Sequence, residues 1–370
     1  MFIIIETGGN IKQNQVLIIH EQSEFKIVSL LFLISCMKIH VISETPFIMK
    51  ATGVHTAFMD HVELLKENND LEVVVNDEGT GDIFHSHTYG PYYLWKGRKY
   101  KGRRVFTTHV IPDSIKGSLP LSWLFMPLIR LGLKMVYSYA DICIAISPMV
   151  EKAIIATGAK TRIVKIFNPV HVDRWKRTEG TRKKGRQMLK LTENEFIVLG
   201  VGQLTSRKGI EDFLDIAKAI PEVKFVWAGG RPFKRFTEGI KRINGRLDDA
   251  GKNVIYIGQV DLEDMPFIYA AADLMLFPSY QENCPLAPVE AAASGMPVIY
   301  RDIEEYRSLY ENPYIKAGST EEFIALTKRM IEDNQFYNEG LKISEQLLRQ
   351  FDKNIIRKKL INVYQSLLSS

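Results

Sequence analysis

Short apolar runs rich in β-branched residues alternate with helical patterns along most of the chain. The strands predicted in the first half lie at 38–42, 71–75, 83–87, 104–109, 142–147 and 163–167. The helices predicted between them lie at 56–66, 122–139 and 148–157. Such alternation is typical of βαβ units, which form a parallel sheet covered by helices.

A second series of the same kind follows a basic stretch that has few strand patterns. Its predicted strands lie at 196–201, 224–228, 254–257, 274–277 and 298–300, and its helices at 210–220, 263–271, 286–294 and 320–333. Two more helices are predicted at about 336–350 and 354–368. We therefore predict an α/β protein with two doubly wound domains joined near 168–190. Its ligand should lie in the cleft between them, because such sheets bind ligands at the carboxyl ends of their strands.

Composition and charge add two local features to this picture. The 370 residues are 46% hydrophobic and 25% charged, which is ordinary for a soluble protein, and the formal charge of +5 is too small to indicate a nucleic-acid partner. The stretches 96–104 and 174–190 are strongly basic, which suits either solvated loops or surfaces for phosphate or anionic lipid. Three cysteines without metal-ligand spacing suggest a reducing cytosol.

The first 36 residues do not fit the rest of the pattern. Residues 25–36 are apolar like a short signal segment, but no basic region precedes them, and they are too few to span a bilayer as a helix. The next residues, 37–43, have the pattern of a first strand. We predict that Met37 is the true start and that 1–36 are an artefact of start-site choice or a poorly ordered extension.

The segment PSYQENCPLAPVEAAASG at 278–295 carries two carboxylates beside a predicted helix start. We expect the helix to begin near Cys284, with Asn283 as N-cap and Pro285 in the first turn, and to stop at Gly295. Free N–H groups around Cys284 and Leu286 could then hold an anion or sugar hydroxyls. Glu282 and Glu290 could grip two parts of one long ligand, although two surface glutamates would look the same.

The segment GVGQLTSRKG at 200–209 follows a buried strand and leads into a helix. Cations beside free backbone N–H groups form pyrophosphate sites, so Arg207 and Lys208 are candidates for phosphate binding. The segment matches neither a Walker A loop nor a dinucleotide fingerprint, which weakens ATPase and dehydrogenase interpretations. Two solvated cations remain the simpler alternative.

Two further positions follow strands of the first half. His109 ends the strand at 104–109, where it could donate to a phosphate or a substrate hydroxyl, or serve only as a core or rim residue. Gly53 lies in the loop after the first strand, where glycine lets backbone approach a ligand, although a plain turn is as good an interpretation.

Together and in this order, these four segments resemble glycosyltransferase family 4, retaining sugar-nucleotide enzymes with the GT-B fold. The resemblance covers nearly everything from Met37 onward, and its most specific parts are the E-x7-E pair, SRKG at 206–209 and ADICIAIS at 140–147; NPVHVDRW at 168–175 is similar to the family's interdomain segment. It implies two Rossmann-like domains facing a cleft. One is acceptor-binding (37–172, completed by a helix at about 352–370), and the other binds the nucleotide sugar (173–351).

The resemblance also implies a role for each matching residue. Glu282 would contact the donor sugar, Glu290 the ribose and Lys208 the pyrophosphate, and His109 would lie near the reacting centre. The remaining implied donor-binding positions are Gly53, Gln203, Arg207, Val260, Asn283, Cys284, Pro285 and Leu286.

One departure concerns the phosphate site, since many members carry arginine where this chain has Gln203. Arg207 could supply the missing charge. No DxD motif is present, so we expect no metal or other cofactor. Lys208, Arg207 and the helix end would then stabilise the leaving diphosphate. The family mechanism implies front-face attack without a separate nucleophile.

A narrower resemblance concerns the acceptor. HSHTYGPYYLW, THVIPDSIKGSL, GQLTSRKG, FVWAGGRPF and LFPSYQENCPLAPVEA are similar to diacylglycerol glucosyltransferases. The apolar, aromatic segment 112–137, with Arg130 and Lys134, could lie in an anionic membrane interface or pack on the sheet. We therefore expect hexose transfer, with UDP-glucose as the favoured donor, to a membrane lipid at the inner face of the cell membrane. The alternatives are a transferase for soluble saccharides and a sugar-nucleotide binding protein without catalysis.

Overall fold

A computed structural model describes residues 36–48, 53–112, 122–231, 240–311 and 313–369 of the chain. The predictions for residues 1–35 and 113–121 lie outside this range. The described residues form two parallel six-stranded sheets, with strand orders β2-β1-β3-β4-β5-β6 and β12-β11-β10-β7-β8-β9.

The first sheet contains β1 to β6. These strands are Met37–Ile42, Leu71–Val75, Ile83–Ser86, Arg103–Thr108, Ile142–Ala145 and Arg162–Lys165. The second sheet contains β7 to β12, which are Ile197–Val201, Lys224–Ala228, Val254–Gly258, Leu274–Phe277, Val298–Arg301 and Ile315–Ala317. Eleven of these strands lie where the pattern of β-branched residues predicted them. The three-residue strand β12 was not predicted.

The helices are numbered α1 to α15 along the described residues. Those of the first half are Thr45–Ile48, Gly53–Lys66, Pro91–Lys99, Ser122–Ser138, Pro148–Ala156, Val172–Trp175 and Glu179–Leu189. Those of the second half are Ile210–Ala219, Ile240–Asp248, Met265–Ala271, Ala287–Ala293, Glu304–Leu309, Thr320–Glu332, Asn334–Gln350 and Lys353–Leu368. Local capping fixes several starts: Ser147 caps α5, with its side chain accepting from the Val150 N–H, and Asp352 caps α15.

The last helix returns to the first half of the molecule. Its buried side chains Ile356, Leu360 and Val363 share an apolar core with residues of β1 and β3, such as Ile39 and Ile83. Burial of these side chains, rather than helix propensity, fixes α15 against the first sheet. The chain therefore crosses between the halves twice.

The first crossing, through α6, is held by charge and by aromatic packing. Arg174 forms ion pairs with Asp60 and Glu63 of α2. The next residue, Trp175, packs edge to face against Tyr269 of α10, with ring centroids 5.3 Å apart. This short helix therefore contacts both halves close to the cleft.

The part of the chain that the structure describes contains no helix long and apolar enough to cross a bilayer.

Candidate active site

Lys208 and Glu282 meet at the carboxyl ends of the second sheet's strands. Their side chains form an ion pair, and the Ser279 hydroxyl donates to the same Glu282 oxygen at 2.6 Å. Glu282 lies in the loop after β10, and Lys208 lies in a single 3₁₀ turn after β7. Two segments predicted separately from the sequence therefore form one charged site.

The turn that carries Lys208 depends on Gly209. This glycine has φ +74°, and a Cβ there would collide with the carbonyl oxygen of Pro278. Only glycine combines this backbone conformation with so close an approach to the β10 loop. Gly209 thus places Lys208 beside Glu282.

The pair lies mostly out of water. The side chains of Lys208 and Glu282 are 16% and 8% exposed. Burial lowers the pKa of Lys208, and the neighbouring Glu282 carboxylate partly opposes that shift. A buried ammonium that is paired with one carboxylate can exchange that partner for another anion, such as a phosphate, because its charge stays paired.

His109 follows β4 and lies against the same loop from the other half. Its backbone carbonyl accepts a 2.9 Å hydrogen bond from the side-chain amide of Asn283. The ring is buried, and burial lowers its pKa to about 4. Nε2 of His109 lies 3.0 Å from Nδ1 of His87. The carboxyl ends of the two sheets therefore face each other, as predicted for a cleft site.

Glu290 is buried in α11 and hydrogen-bonded to a tyrosine. The Tyr269 hydroxyl donates to its carboxylate at 2.6 Å. Burial raises the pKa of Glu290 to about 7, even though this hydrogen bond acts to lower it. The carboxyl group is thus poised between its two protonation states near neutral pH.

The predicted start of the helix that carries Glu290 was wrong. The helix begins at Ala287, not near Cys284, with Leu286 at the N-cap position and Pro288 in the first turn. Asn283 is not its cap, because the residue that precedes the first helical position is Leu286. The Asn283 side-chain amide instead donates to the His109 carbonyl. As a consequence, Glu290 lies in the first turn of a seven-residue helix.

The other predicted donor-binding residues differ in their burial and contacts. Arg207 donates to the Gln281 carbonyl at 2.6 Å and so points toward the β10 loop. Gln203 is half-buried in the turn after β7, and Val260 is half-buried after β9. Cys284, Pro285 and Leu286 are buried, and burial raises the pKa of the Cys284 thiol to about 12. Gly53 is exposed as the first residue of α2.

Sequence reasoning missed three residues that hold the predicted ones. Ser279 donates to Glu282, Tyr269 to Glu290, and His87 contacts His109. Ser279 adjoins the acidic segment, and His87 belongs to the HSHT motif, so both lay within motifs already noted. Tyr269 lies within an ordinary helical pattern that gave no such indication.

Within the described ranges, two groups of side chains have a spacing that could hold a metal ion: His61, His85 and His87, and Asp60, Glu63 and His171. Neither group contains Glu282 or Glu290. The acidic members of the second group are already paired with Arg174.

Comparison with known proteins agrees with this architecture. The family model "Glycosyl transferases group 1" matches residues 181–347, and "Glycosyltransferase Family 4" matches residues 76–174. An alpha-galactosylglucosyldiacylglycerol synthase of Streptococcus pneumoniae is 30% identical over 319 residues, which cover 84% of this chain and 81% of that protein. A processive diacylglycerol alpha-glucosyltransferase of Acholeplasma laidlawii is 27% identical over 90% of this chain and 99% of its own length.

Solved structures show the same fold at lower identity. The Anabaena protein HepE, solved with UDP and glucose, has a TM-score of 0.70 at 20% identity, covering 90% of this chain and 100% of its own. A sucrose-phosphate synthase from Thermosynechococcus elongatus has a TM-score of 0.73 at 18% identity, covering 90% and 99%. The chain therefore belongs to glycosyltransferase family 4, as a hexosyltransferase whose two parallel sheets form the GT-B fold.

Proposed function

We propose that this enzyme moves a hexose from a UDP-sugar to a diacylglycerol-type lipid at a membrane surface, with retention of configuration and without a metal ion. The observation that carries the proposal is the buried ion pair between Lys208 and Glu282. Glu282 lies in the loop that Asn283 links to His109 by a hydrogen bond. Cation, carboxylate and imidazole thus converge where the two halves of the molecule meet.

The ion pair gives the donor site its charge chemistry. A bound diphosphate takes the Lys208 ammonium from Glu282, and the released carboxylate accepts hydrogen bonds from hydroxyls of the donor sugar. The ammonium then faces the oxygens on which charge develops as the glycosidic bond breaks. A fixed cation in a water-poor site stabilises that charge strongly, which is why this proposal needs no divalent ion.

Glu290 and Tyr269 would hold the nucleoside end of the donor. The carboxyl group of Glu290 keeps one oxygen for the Tyr269 hydroxyl, so the other is open to ribose hydroxyls. Glu282 and Glu290 are separated by the loop and the first turn of α11. They can therefore contact the two ends of one sugar nucleotide.

His109 would contact the donor sugar as a neutral group. Its low pKa keeps the imidazole uncharged at neutral pH, so it does not repel the developing positive charge at the anomeric carbon. In the front-face mechanism, the acceptor hydroxyl attacks from the side of the leaving group. The departing phosphate takes the acceptor's proton, so no separate base or nucleophile is required.

A lipid acceptor is favoured by the exposed face of α4. Leu124, Phe125, Leu128, Leu131 and Met135 of this helix are between 53% and 68% exposed. Arg130 and Lys134 are exposed on the same helix, and Trp95 and Lys99 are exposed on α3. An apolar stripe flanked by cations matches an anionic bilayer interface. The two diacylglycerol-named relatives point to the same acceptor chemistry.

The test is transfer by the purified full-length chain. It would be incubated with UDP-glucose, UDP-galactose, UDP-N-acetylglucosamine or GDP-mannose, each with diacylglycerol vesicles or water-soluble sugars, with and without EDTA. We expect an α-linked glycolipid from a UDP-hexose, at a rate unchanged by EDTA. Product with soluble sugars alone would exclude the lipid acceptor, and nucleotide binding without turnover on any acceptor would exclude catalysis.

The donor site is tested by Lys208→Ala. Loss of a charge-assisted contact should weaken UDP binding by about 10- to 100-fold, measured by calorimetry. The matched control is Lys224→Ala. Lys224 is 3.8 Å from Glu195 and lies at the amino end of β8, whereas the candidate site lies at the carboxyl ends of the strands. Equal UDP affinity in the Lys208 variant and the wild type would remove Lys208 from the site.

A further inference from the structure

His109 is one of four buried histidines that pack together in the first half. His87 stacks on His109 with ring centroids 5.2 Å apart and an interplanar angle of 24°. His61 and His85 pack on His87 at 4.4 and 4.9 Å. Burial lowers the pKa of every one of these rings, so each carries one proton at neutral pH.

The hydrogen bonds of the cluster divide it into two parts. Both ring nitrogens of His85 form hydrogen bonds, Nδ1 with the Tyr364 hydroxyl at 2.6 Å and Nε2 with the Thr107 hydroxyl at 2.7 Å. His61 Nε2 contacts the same tyrosine at 3.3 Å. His87 instead contacts His109, through its Nδ1 and the Nε2 of His109, at 3.0 Å. His87 is thus the only one of these neighbours that is hydrogen-bonded to the His109 ring.

Two proton arrangements fit this contact, and they leave different atoms without partners. Nε2 of His87 is buried and has no hydrogen-bond partner among the described residues. If His109 donated to His87, that Nε2 would carry a proton, and the cluster would bury an N–H with nothing to accept it. If His87 donates through Nδ1, the same atom is a bare nitrogen. Unpaired buried N–H groups are rarer than under-satisfied acceptors, so the second arrangement is favoured.

The second arrangement fixes the chemistry of His109. With its Nε2 accepting from His87, a neutral His109 must carry its proton on Nδ1. Within the described part of the chain, the His109 ring forms a hydrogen bond through Nε2 only, so Nδ1 remains for a ligand. The ring nitrogen that remains for a ligand is therefore a hydrogen-bond donor.

We infer that His87 is a positioning residue that holds His109 as its Nδ1–H tautomer, so that His109 acts on the donor sugar as a neutral hydrogen-bond donor and not as a base. The inference rests on the proposed function only for the location of the donor sugar. The tautomer itself is a property of the free protein and can be measured without any substrate.

The direct test is nitrogen NMR of the full-length wild-type protein labelled with ¹⁵N-histidine. The His109 resonances would be assigned by their loss in His109→Gln. We expect His109 with Nδ1 protonated and Nε2 bare, and His87 with Nδ1 protonated. A protonated Nε2 on His109 would overturn the inference, whatever reaction the enzyme performs.

A kinetic test uses two buried histidines of the same cluster. His87→Phe should lower kcat by about 100-fold with little change in KM for the UDP-sugar, because His109 loses its orientation in the reacting state. His61→Phe is the matched control, since it changes the same packing but keeps the His87–His109 contact. Equal losses of kcat in the two variants would mean that His87 contributes only packing and does not position His109.

His87→Asn adds a rescue experiment, because an asparagine amide can donate from near the Nδ1 position. We expect it to recover a substantial part of the kcat lost in His87→Phe and to restore the His109 tautomer. No recovery of either would contradict the hydrogen-bonding role. If instead the expected tautomer is found and His109→Gln transfers sugar normally, the location of the reacting centre is wrong and the positioning contact is unaffected.

Discussion

At the scale of single residues, Glu290 makes the stability of the protein depend on pH. Burial raises its pKa in the folded state to about 7, from 4.5 in the unfolded chain. Below pH 4.5 both states are protonated and the group costs nothing. Between pH 4.5 and 7 only the unfolded state ionises, so unfolding releases a proton and stability falls as pH rises, by about 3 kcal/mol in all.

Glu290→Gln should remove this contribution, because glutamine keeps the hydrogen bond from Tyr269 but cannot ionise. The free energy of unfolding of the variant, relative to that of the wild type, should therefore increase from pH 5 to pH 8. Urea unfolding at both pH values measures the gain. The control is Glu304→Gln at the exposed start of α12, which should follow the wild type. A constant difference between Glu290→Gln and the wild type across this pH range would contradict the shifted pKa.

The charged residues of the candidate site belong to motifs visible in the sequence, but the contacts between them do not. Glu282 and Lys208 belong to local motifs, whereas the contact between them joins positions 74 residues apart. The N-cap prediction for Asn283 failed for the same reason. A local pattern favours a cap at Asn283, but the helix begins only at Ala287, and the Asn283 amide donates to the distant His109 carbonyl.

At the scale of secondary-structure elements, α4 has both a packed face and an exposed apolar face. The sequence left packing on the sheet and contact with a membrane as alternatives. Met126, Leu133 and Val136 are buried, so one face packs on the first half as a core helix does. Leu128, Leu131 and Met135 are exposed on the other face. The spacing alone could not distinguish these faces, because apolar residues occur almost all round the helix.

The exposed face should bind membranes. Leu128→Ser with Leu131→Ser removes two exposed apolar side chains, worth roughly 2–3 kcal/mol of interfacial burial, so vesicle affinity should fall by about 30- to 100-fold. Cosedimentation with phosphatidylglycerol vesicles measures it, and circular dichroism should show unchanged folding. Wild-type binding should also weaken at high salt, because the flanking cations contribute.

Ile355→Ser provides the control, since Ile355 is similarly exposed but lies on α15. It should bind vesicles as the wild type does. If the α4 variant also binds normally, this face has another partner, or none, and the membrane part of the proposed function is wrong.

Elements that were not predicted share a physical cause, which is that tertiary contacts rather than apolar periodicity stabilise them. α7 looked like a basic linker, but its Arg186 is buried and paired with Asp273. α3 contains Gly97 among cations, where a side chain would crowd Tyr139. β12 is three residues long and is held by pairing with β11. No sequence window contains these contacts.

At the scale of the whole molecule, the two-sheet architecture was predictable because it repeats a strong local pattern many times. The buried parallel strands are short, mainly apolar runs, many of them rich in β-branched residues, and eleven such runs are visible in the sequence. The relation between the halves was not predictable, since it depends on a few contacts between distant positions. Arg174 is the clearest case: it lies in the interdomain segment and binds a carboxylate more than 100 residues earlier.

Arg174 should therefore couple the two halves when the protein unfolds. Asp60 is buried, and burial raises its pKa while Arg174 opposes that shift. Arg174→Met would leave this carboxyl group without its partner, at a cost of about 3 kcal/mol. It would also loosen α2 from α6, so we expect the single calorimetric transition of the wild type to broaden or split as the halves melt separately.

Two further variants separate this coupling from a general loss of charge. Arg174→Met combined with Asp60→Asn should recover more than half of the lost stability, because no unpaired carboxylate remains buried, yet the broadened transition should persist because the link itself is gone. Arg246→Met breaks the exposed Arg246–Asp215 pair inside the second half and should cost less than about 1 kcal/mol with no broadening. A sharp single transition in Arg174→Met would mean that the remaining links are sufficient to make the two halves unfold as one. These links include α15 on the first sheet, Trp175 on Tyr269 and the Asn283–His109 hydrogen bond.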